Sequence, residues 1–236
     1  LLILDSDQNG ITSMSDIMRM LDTHGSEIAL ILIGGVNYYT GQAFDMAAIT
    51  DKAQNCGCRV GFDLAHAAGN LTMQLHDWGV DFAAWCGYKY LNGGPGAPST
   101  IFIHERHLDR KDIPRLEGWW GQDKSSRFQM PNTFKPLKTA EAWQLSNPPI
   151  LSMAPLLASL EIFHEVGMSQ LRDQSKLLTG YLESLLLSNI KDKIRIITPK
   201  SEQSRGCQLS IRLNKPIDNI IEILKDRGVI CDWRSP

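Results

Sequence analysis

Two apolar runs in this chain end in residues that can do chemistry. One reads Gly61-Phe62-Asp63-Leu64-Ala65-His66, and the other reads Trp85-Cys86-Gly87-Tyr88-Lys89-Tyr90. If both runs are buried parallel strands, a carboxylate and a lysine converge just past their carboxyl ends, where α/β sheets hold ligands. A lysine in such a crevice is a candidate for Schiff-base chemistry, because partial burial disfavours the ammonium and frees the amine. A carboxylate facing it can keep a pyridine nitrogen protonated, which makes the ring of pyridoxal phosphate an electron sink. His66 falls three residues beyond Asp63 and is placed to lie near the same ring. Tyr88 and the glycines of Asn92-Gly93-Gly94-Pro95-Gly96 can meet a phosphate or allow close backbone approach. Each signal also has a plain reading: Lys89 as a surface lysine, Asp63 as a helix cap, and the glycines as a turn.

The elements that must position these residues read as an α/β domain. Ile28 to Ile33, ending in Gly34-Gly35, is a continuous apolar run of the kind a strand buried on both faces shows. A helix over Ala47 to Asn55 precedes a strand at Arg59 to Asp63. A second helix over Thr72 to Trp78 precedes a strand at Asp81 to Cys86, and a further strand covers Thr100 to Ile103. This alternation predicts a mostly parallel sheet flanked by helices.

The pattern changes after Asn147-Pro148-Pro149. Leu156, Leu160 and Phe163 share one helix face, with Gly167 as the stop, and Leu171, Leu178, Leu182 and Leu185 stripe a second long helix. Both stripes are expected to be core. Short strands at Arg195 to Thr198 and Gln208 to Leu213 follow. A last helix is expected with Asn214 as its cap, Pro216 in its first turn, and Ile217, Ile220, Ile221 and Leu224 inward before Gly228. The resulting division is a large domain over 1–150, connecting helices over 151–187, and a smaller α+β domain over 188–236.

Composition narrows the function classes. The 236 residues carry 24 basic against 26 acidic side chains, a formal charge of −2. That balance offers no electrostatic footprint for nucleic acid or an anionic membrane. The longest apolar run, Ile28 to Val36, is 9 residues, well short of the roughly 18 needed for a membrane span. Five cysteines, an odd and scattered set, argue for a reducing, cytoplasmic setting rather than a disulfide framework. Cys56-Gly57-Cys58 lacks a second ligand pair with zinc-like spacing, and His104-Glu105-Arg106-His107 lacks a third ligand, so no metal site is expected.

The wording of the segments is more specific than their spacing. Gly61 to Asn70 (GFDLAHAAGN), Leu75 to Phe82 (LHDWGVDF) and Trp85 to Asn92 (WCGYKYLN) together resemble fold-type I pyridoxal-phosphate enzymes, and the kynureninase family in particular. Tyr39-Thr40-Gly41-Gln42, Gly118-Trp119-Trp120-Gly121 and Ser146-Asn147-Pro148-Pro149-Ile150 match the same family in the same order. The resemblance runs from about Ile28 to Tyr181.

It implies roles residue by residue. Lys89 carries pyridoxal 5'-phosphate covalently, Asp63 pairs with the pyridine nitrogen, His66 lies beside the ring and Tyr88 reaches the phosphate. Trp119 and Asn147 belong to the cofactor and substrate pocket, partly across a homodimer with shared active sites. Lys89 and Tyr88 are the implied acid–base groups. The implied reaction, in tryptophan catabolism and NAD biosynthesis, is hydrolysis of L-kynurenine or its 3-hydroxy form to an anthranilate and L-alanine. Gly34 stands where the family often has a hydroxyl residue, which removes one phosphate contact. The family's N-terminal phosphate loop and ring-stacking aromatic have no counterpart before Ile28, and its substrate-carboxylate arginine has no match before Pro236. The chain is therefore expected to be an internal fragment. The competing expectations are a cysteine desulfurase-like lyase of the same fold, or a truncated product without catalysis. A desulfurase needs a reactive cysteine on a mobile loop, a setting that Cys86, Cys207 and Cys231 lack.

Overall fold

Ser13 begins the first helix, accepting a hydrogen bond from the Asp16 amide, and this helix (α1, Met14–His24) buries Ile17 and Leu21. The computed structural model describes residues 1–234. Strand β1 (Leu30–Gly34) follows, then α2 (Met46–Asn55), capped by Asp45 through the Ala48 amide. Strands β2 (Arg59–Asp63), β3 (Phe82–Cys86) and β4 (Ser99–Ile103) complete a four-stranded sheet in the order β1-β2-β3-β4. The first two pairings are parallel and the last is antiparallel. Helices α1 and α2 lie on one face, where Met46, Ile49, Val60, Phe62 and Ala83 form the core with Ile31 and Ile33 packed against it.

Behind the sheet, Asp81 organises the entry to β3. It is 3% exposed, and its carboxylate accepts from the Val60 amide at 2.8 Å, His107 Nε2 at 2.6 Å and Arg106 Nη2 at 2.9 Å. The His104 to His107 segment, which spacing alone offers as a weak metal motif, thus serves as a buried tie. Burial pushes the Asp81 carboxyl up, but the Val60 amide, Arg106 and His107 outweigh it and hold it below the usual carboxylate range. A lowered folded-state pKa adds stability that is present above the unfolded value and lost as pH falls through the folded one. Asp81→Asn is therefore expected to cost about 1–3 kcal/mol at neutral pH. Below about pH 4 its urea midpoint should fall less steeply than the parent's. Parallel midpoint curves over pH 2–7 would contradict the assignment.

After β4 the chain makes short 3₁₀ turns, then two long helices, α3 (Ile150–Val166) and α4 (Met168–Ile190), bent by 87° around Gly167. No single helix among the described residues is long and apolar enough to cross a membrane. A two-stranded antiparallel sheet of β5 (Ile194–Ile196) and β6 (Ile211–Leu213), and a short helix α5 (Ile220–Asp226), close the chain.

Several expectations need correction. No helix forms over Thr72 to Trp78: residues 75–79 make one turn, with Trp78 N bonded to Gln74 O and Val80 N to Leu75 O. β1 is not buried on both faces, because α1 and α2 cover only the side bearing Ile31 and Ile33, and Leu32 on the other side is 59% exposed. The leucine stripes are not core either. Leu156 is buried, but Leu160, Leu178, Leu182 and Leu185 stand exposed. The buried face of α4 is a polar line instead, Arg172 and Thr179, with Arg172 donating to the carbonyls of Glu202 and Arg205 at 2.6 Å each. α5 starts at Ile220 after Asn219, not at Asn214, whose amide and side chain bond to Lys193 O and Asp192 O. Pro216 and Ile217 consequently precede the helix. Helix α1 lies where no element is expected, although Ser13 with Asp16, and Ile17 with Leu21, are a readable cap and apolar pair.

Candidate active site

The parallel pairing of β2 with β3 sets Asp63 opposite Ala84, so the two strands end side by side. Asp63 points to the face that α1 and α2 leave open. Its Oδ1 accepts from the Ala65 amide at 2.9 Å, which opens a turn over residues 65–70 rather than capping a helix. That turn carries His66. Beyond β3, residues 87–90 fold back so that Lys89 Nζ lies 3.0 Å from His66 Nε2. The two turns can pack this tightly because Gly69, at φ +80°, has no Cβ; an added one would sit 2.7 Å from the Tyr90 carbonyl.

Burial, then the Lys89 charge, then that of Arg234, push the His66 imidazole below its usual pKa, against the opposing pull of Asp63. The ring is therefore neutral at pH 7. With Lys89 donating to Nε2, the ring proton sits on Nδ1, a buried atom without a hydrogen-bond partner. An orphaned donor beside a half-buried amine and a carboxylate is what a polar aromatic cofactor would satisfy. The residues present thus fit pyridoxal phosphate. Two aromatic rings that the motifs leave without a role frame His66: Tyr38 at 6.3 Å and Tyr90 at 5.9 Å between centroids. Arg234 lies over Tyr38 at 5.7 Å.

The other expected site residues stand differently. Tyr88 is 54% exposed, and the neighbouring Cys86 raises its hydroxyl above its usual pKa. Trp119 lies in a 3₁₀ turn, donating Nε1 to the Arg127 carbonyl at 3.3 Å, with its ring edge-on to Trp120 and Phe128. Asn147 is exposed and accepts from Ser146 Oγ at 3.2 Å. Within the described residues, neither Trp119 nor Asn147 makes a hydrogen bond or ring contact with Asp63, His66 or Lys89.

Solved structures of the same shape define the fold. A cysteine desulfurase from Thermococcus onnurineus superposes with a TM-score of 0.75 at 17% identity, covering 98% of this chain and 55% of that one. A variant of C-DES with glycine covalently linked to its pyridoxal phosphate superposes at 0.69 and 19% identity, covering 90% of this chain and 55% of that one. This is the fold of the type I pyridoxal-phosphate enzymes, a mostly parallel sheet with flanking helices. At these identities the likeness carries the fold and nothing finer.

Sequence separates the families within that fold. The model of the kynureninase C-terminal domain matches residues 171–236. Kynureninase of Myxococcus xanthus is 56% identical over 221 residues, covering 94% of this chain. Over 94% of its length the chain is thus similar to kynureninases. It spans about half the length of the curated relatives it matches, 52% of the Myxococcus protein.

Proposed function

We propose that the protein containing this chain is a pyridoxal-phosphate-dependent hydrolase that cleaves L-kynurenine, or its 3-hydroxy form, to an anthranilate and L-alanine. The observation that carries the reading is the 3.0 Å approach of Lys89 to His66 beside Asp63, in a chain 56% identical to a kynureninase. When bound, the cofactor supplies an electron sink for the pair left at the substrate Cα. Lys89 holds the cofactor through Nζ, and once released takes the Cα proton and later returns it. Asp63 sets the ring nitrogen through its charge. His66, neutral, presents Nδ1–H and keeps the Lys89 amine oriented through Nε2. Tyr88 serves the phosphate, and Trp119 and Asn147 complete the pocket across a homodimer. The net change adds the elements of water across the bond from Cβ to the carbonyl carbon: oxygen goes to the anthranilate carboxylate and hydrogen to the alanine methyl. A cytoplasmic setting accords with the five free cysteines.

The fold likeness to desulfurases favours one rival, a lyase acting on cysteine. Against it, burial pushes the Cys207 thiol up, which weakens it as a nucleophile. Anthranilate fluorescence from L-kynurenine and sulfide from L-cysteine, measured side by side on the full-length protein, separate the two. The reading expects anthranilate alone; sulfide without anthranilate would overturn it.

A further inference from the structure

The segment Ala67-Ala68-Gly69-Asn70 follows His66 directly, and none of the roles above uses Asn70. It is buried, and its side chain works in two directions. Nδ2 donates to the His66 carbonyl at 2.9 Å, and Oδ1 accepts from the Cys207 amide at 2.9 Å, across 137 residues of sequence. The fit is close on the far side as well: a Cβ on Gly206 would fall 2.4 Å from Asn70 Nδ2.

Cys207 belongs to a strap, residues 198–210, that the rest of the fold holds rigidly. Arg172 of α4 binds its carbonyls at Glu202 and Arg205, and Arg205 pairs with Glu183 at 2.7 Å, with only 3% of the Arg205 side chain exposed. The strap also grips the loop that carries Tyr38, through Thr198 Oγ1 to Thr40 O at 2.6 Å and Gln208 Nε2 to Tyr38 O at 2.9 Å. Burial, with the nearby Cys207 thiol adding to it, pushes the Tyr90 hydroxyl up to about 12. The loop of Tyr38, one aromatic neighbour of His66, is thus anchored to the strap, and Asn70 links the strap to the backbone of His66 itself.

We propose that Asn70 is a positioning residue: its amide ties the His66 carbonyl to the Cys207 backbone, so that the C-terminal strap sets where the His66 ring stands against Lys89. The proposal rests on the reading of His66 as a neighbour of the cofactor ring. It assigns the C-terminal part of the chain a direct part in site geometry, through hydrogen bonds rather than through a side chain in the crevice. A ring displaced by even an ångström from its reactive partner can cost about 100-fold in rate.

The test uses two variants in the full-length protein. Asn70→Ala removes both bonds. Asn70→Asp keeps the size and the acceptor for Cys207 N but cannot donate to His66 O, and it keeps the proposal testable if the alanine variant does not fold. The first readout needs no cofactor: the titration midpoint of His66, followed by NMR of its labelled ring and assigned with His66→Gln. The charged and titratable groups facing His66 are Lys89, Asp63, Arg234, Tyr38 and Tyr90. Loss of the tie is expected to free the ring and move its midpoint up toward about 6.5. With cofactor bound, kcat for L-kynurenine is expected to fall by up to about 100-fold, with little change in KM. A folded Asn70→Asp protein with the parent's His66 midpoint and kcat overturns the proposal and leaves the assigned reaction intact. A shifted midpoint in the variants, together with a parent protein that does not cleave L-kynurenine, upholds the positioning role and overturns the reaction instead.

Discussion

Lys89→Ala is expected to abolish both turnover and the visible absorbance band of bound pyridoxal phosphate. Lys89 Nζ is the amine carried by the turn beyond β3, and it meets His66 at 3.0 Å; in the proposed reaction it both holds the cofactor and moves the Cα proton. Removing a group that serves as covalent partner and base together costs on the order of a million-fold in kcat. Lys89→Arg should fail nearly as completely, because a guanidinium keeps the charge but cannot form the covalent link. Absorbance titration with pyridoxal phosphate and a discontinuous product assay check both. A Lys89→Ala protein with a parent-like band would place the covalent link elsewhere.

The second large effect is at Asp63, where Asp63→Asn separates charge from shape. Asparagine keeps the Oδ1 acceptor that the Ala65 amide uses at 2.9 Å, so the turn that carries His66 should survive. The negative charge proposed to face the ring nitrogen does not. Loss of one preorganised electrostatic partner of the reacting centre costs about 100- to 1,000-fold in kcat. The expected result is therefore a protein that folds, binds cofactor and turns over at least about 100-fold more slowly. Parent-like kcat in Asp63→Asn would show that the carboxylate does not serve the ring.

The approach of Lys89 to His66 past the strand ends was legible in the sequence because its supports are short apolar runs with reactive residues at their ends. Val60 and Phe62 are fully buried, and the strand they define ends at Asp63 where the residue pattern expects it. Lys89 and His66 also carry familiar neighbours in sequence, which is why their types could be read together. The partners that hold them were not legible. Asn70 to Cys207 and Gln208 to Tyr38 join residues 137 and 170 apart, and no local periodicity records a contact of that range. Leucine spacing on α3 and α4 marks an apolar face but not whether anything among the described residues lies against it, and Leu178 is 60% exposed. The polar face of α4, with Arg172 and Thr179, reads as solvent-facing by type, yet it is the side turned inward. The His104 to His107 segment suffers the same ambiguity, because a histidine that ties a buried aspartate and one that binds a metal look alike in sequence.

The central claim is hydrolysis of a carbon–carbon bond at a Lys89-held cofactor. Its most direct test is turnover of L-kynurenine by the full-length protein in water enriched in heavy oxygen, with both products read by mass spectrometry. The account predicts anthranilate and alanine in equal amounts, with heavy oxygen in the anthranilate carboxylate and none in alanine. Absence of that product pair from a folded, cofactor-loaded protein would contradict it.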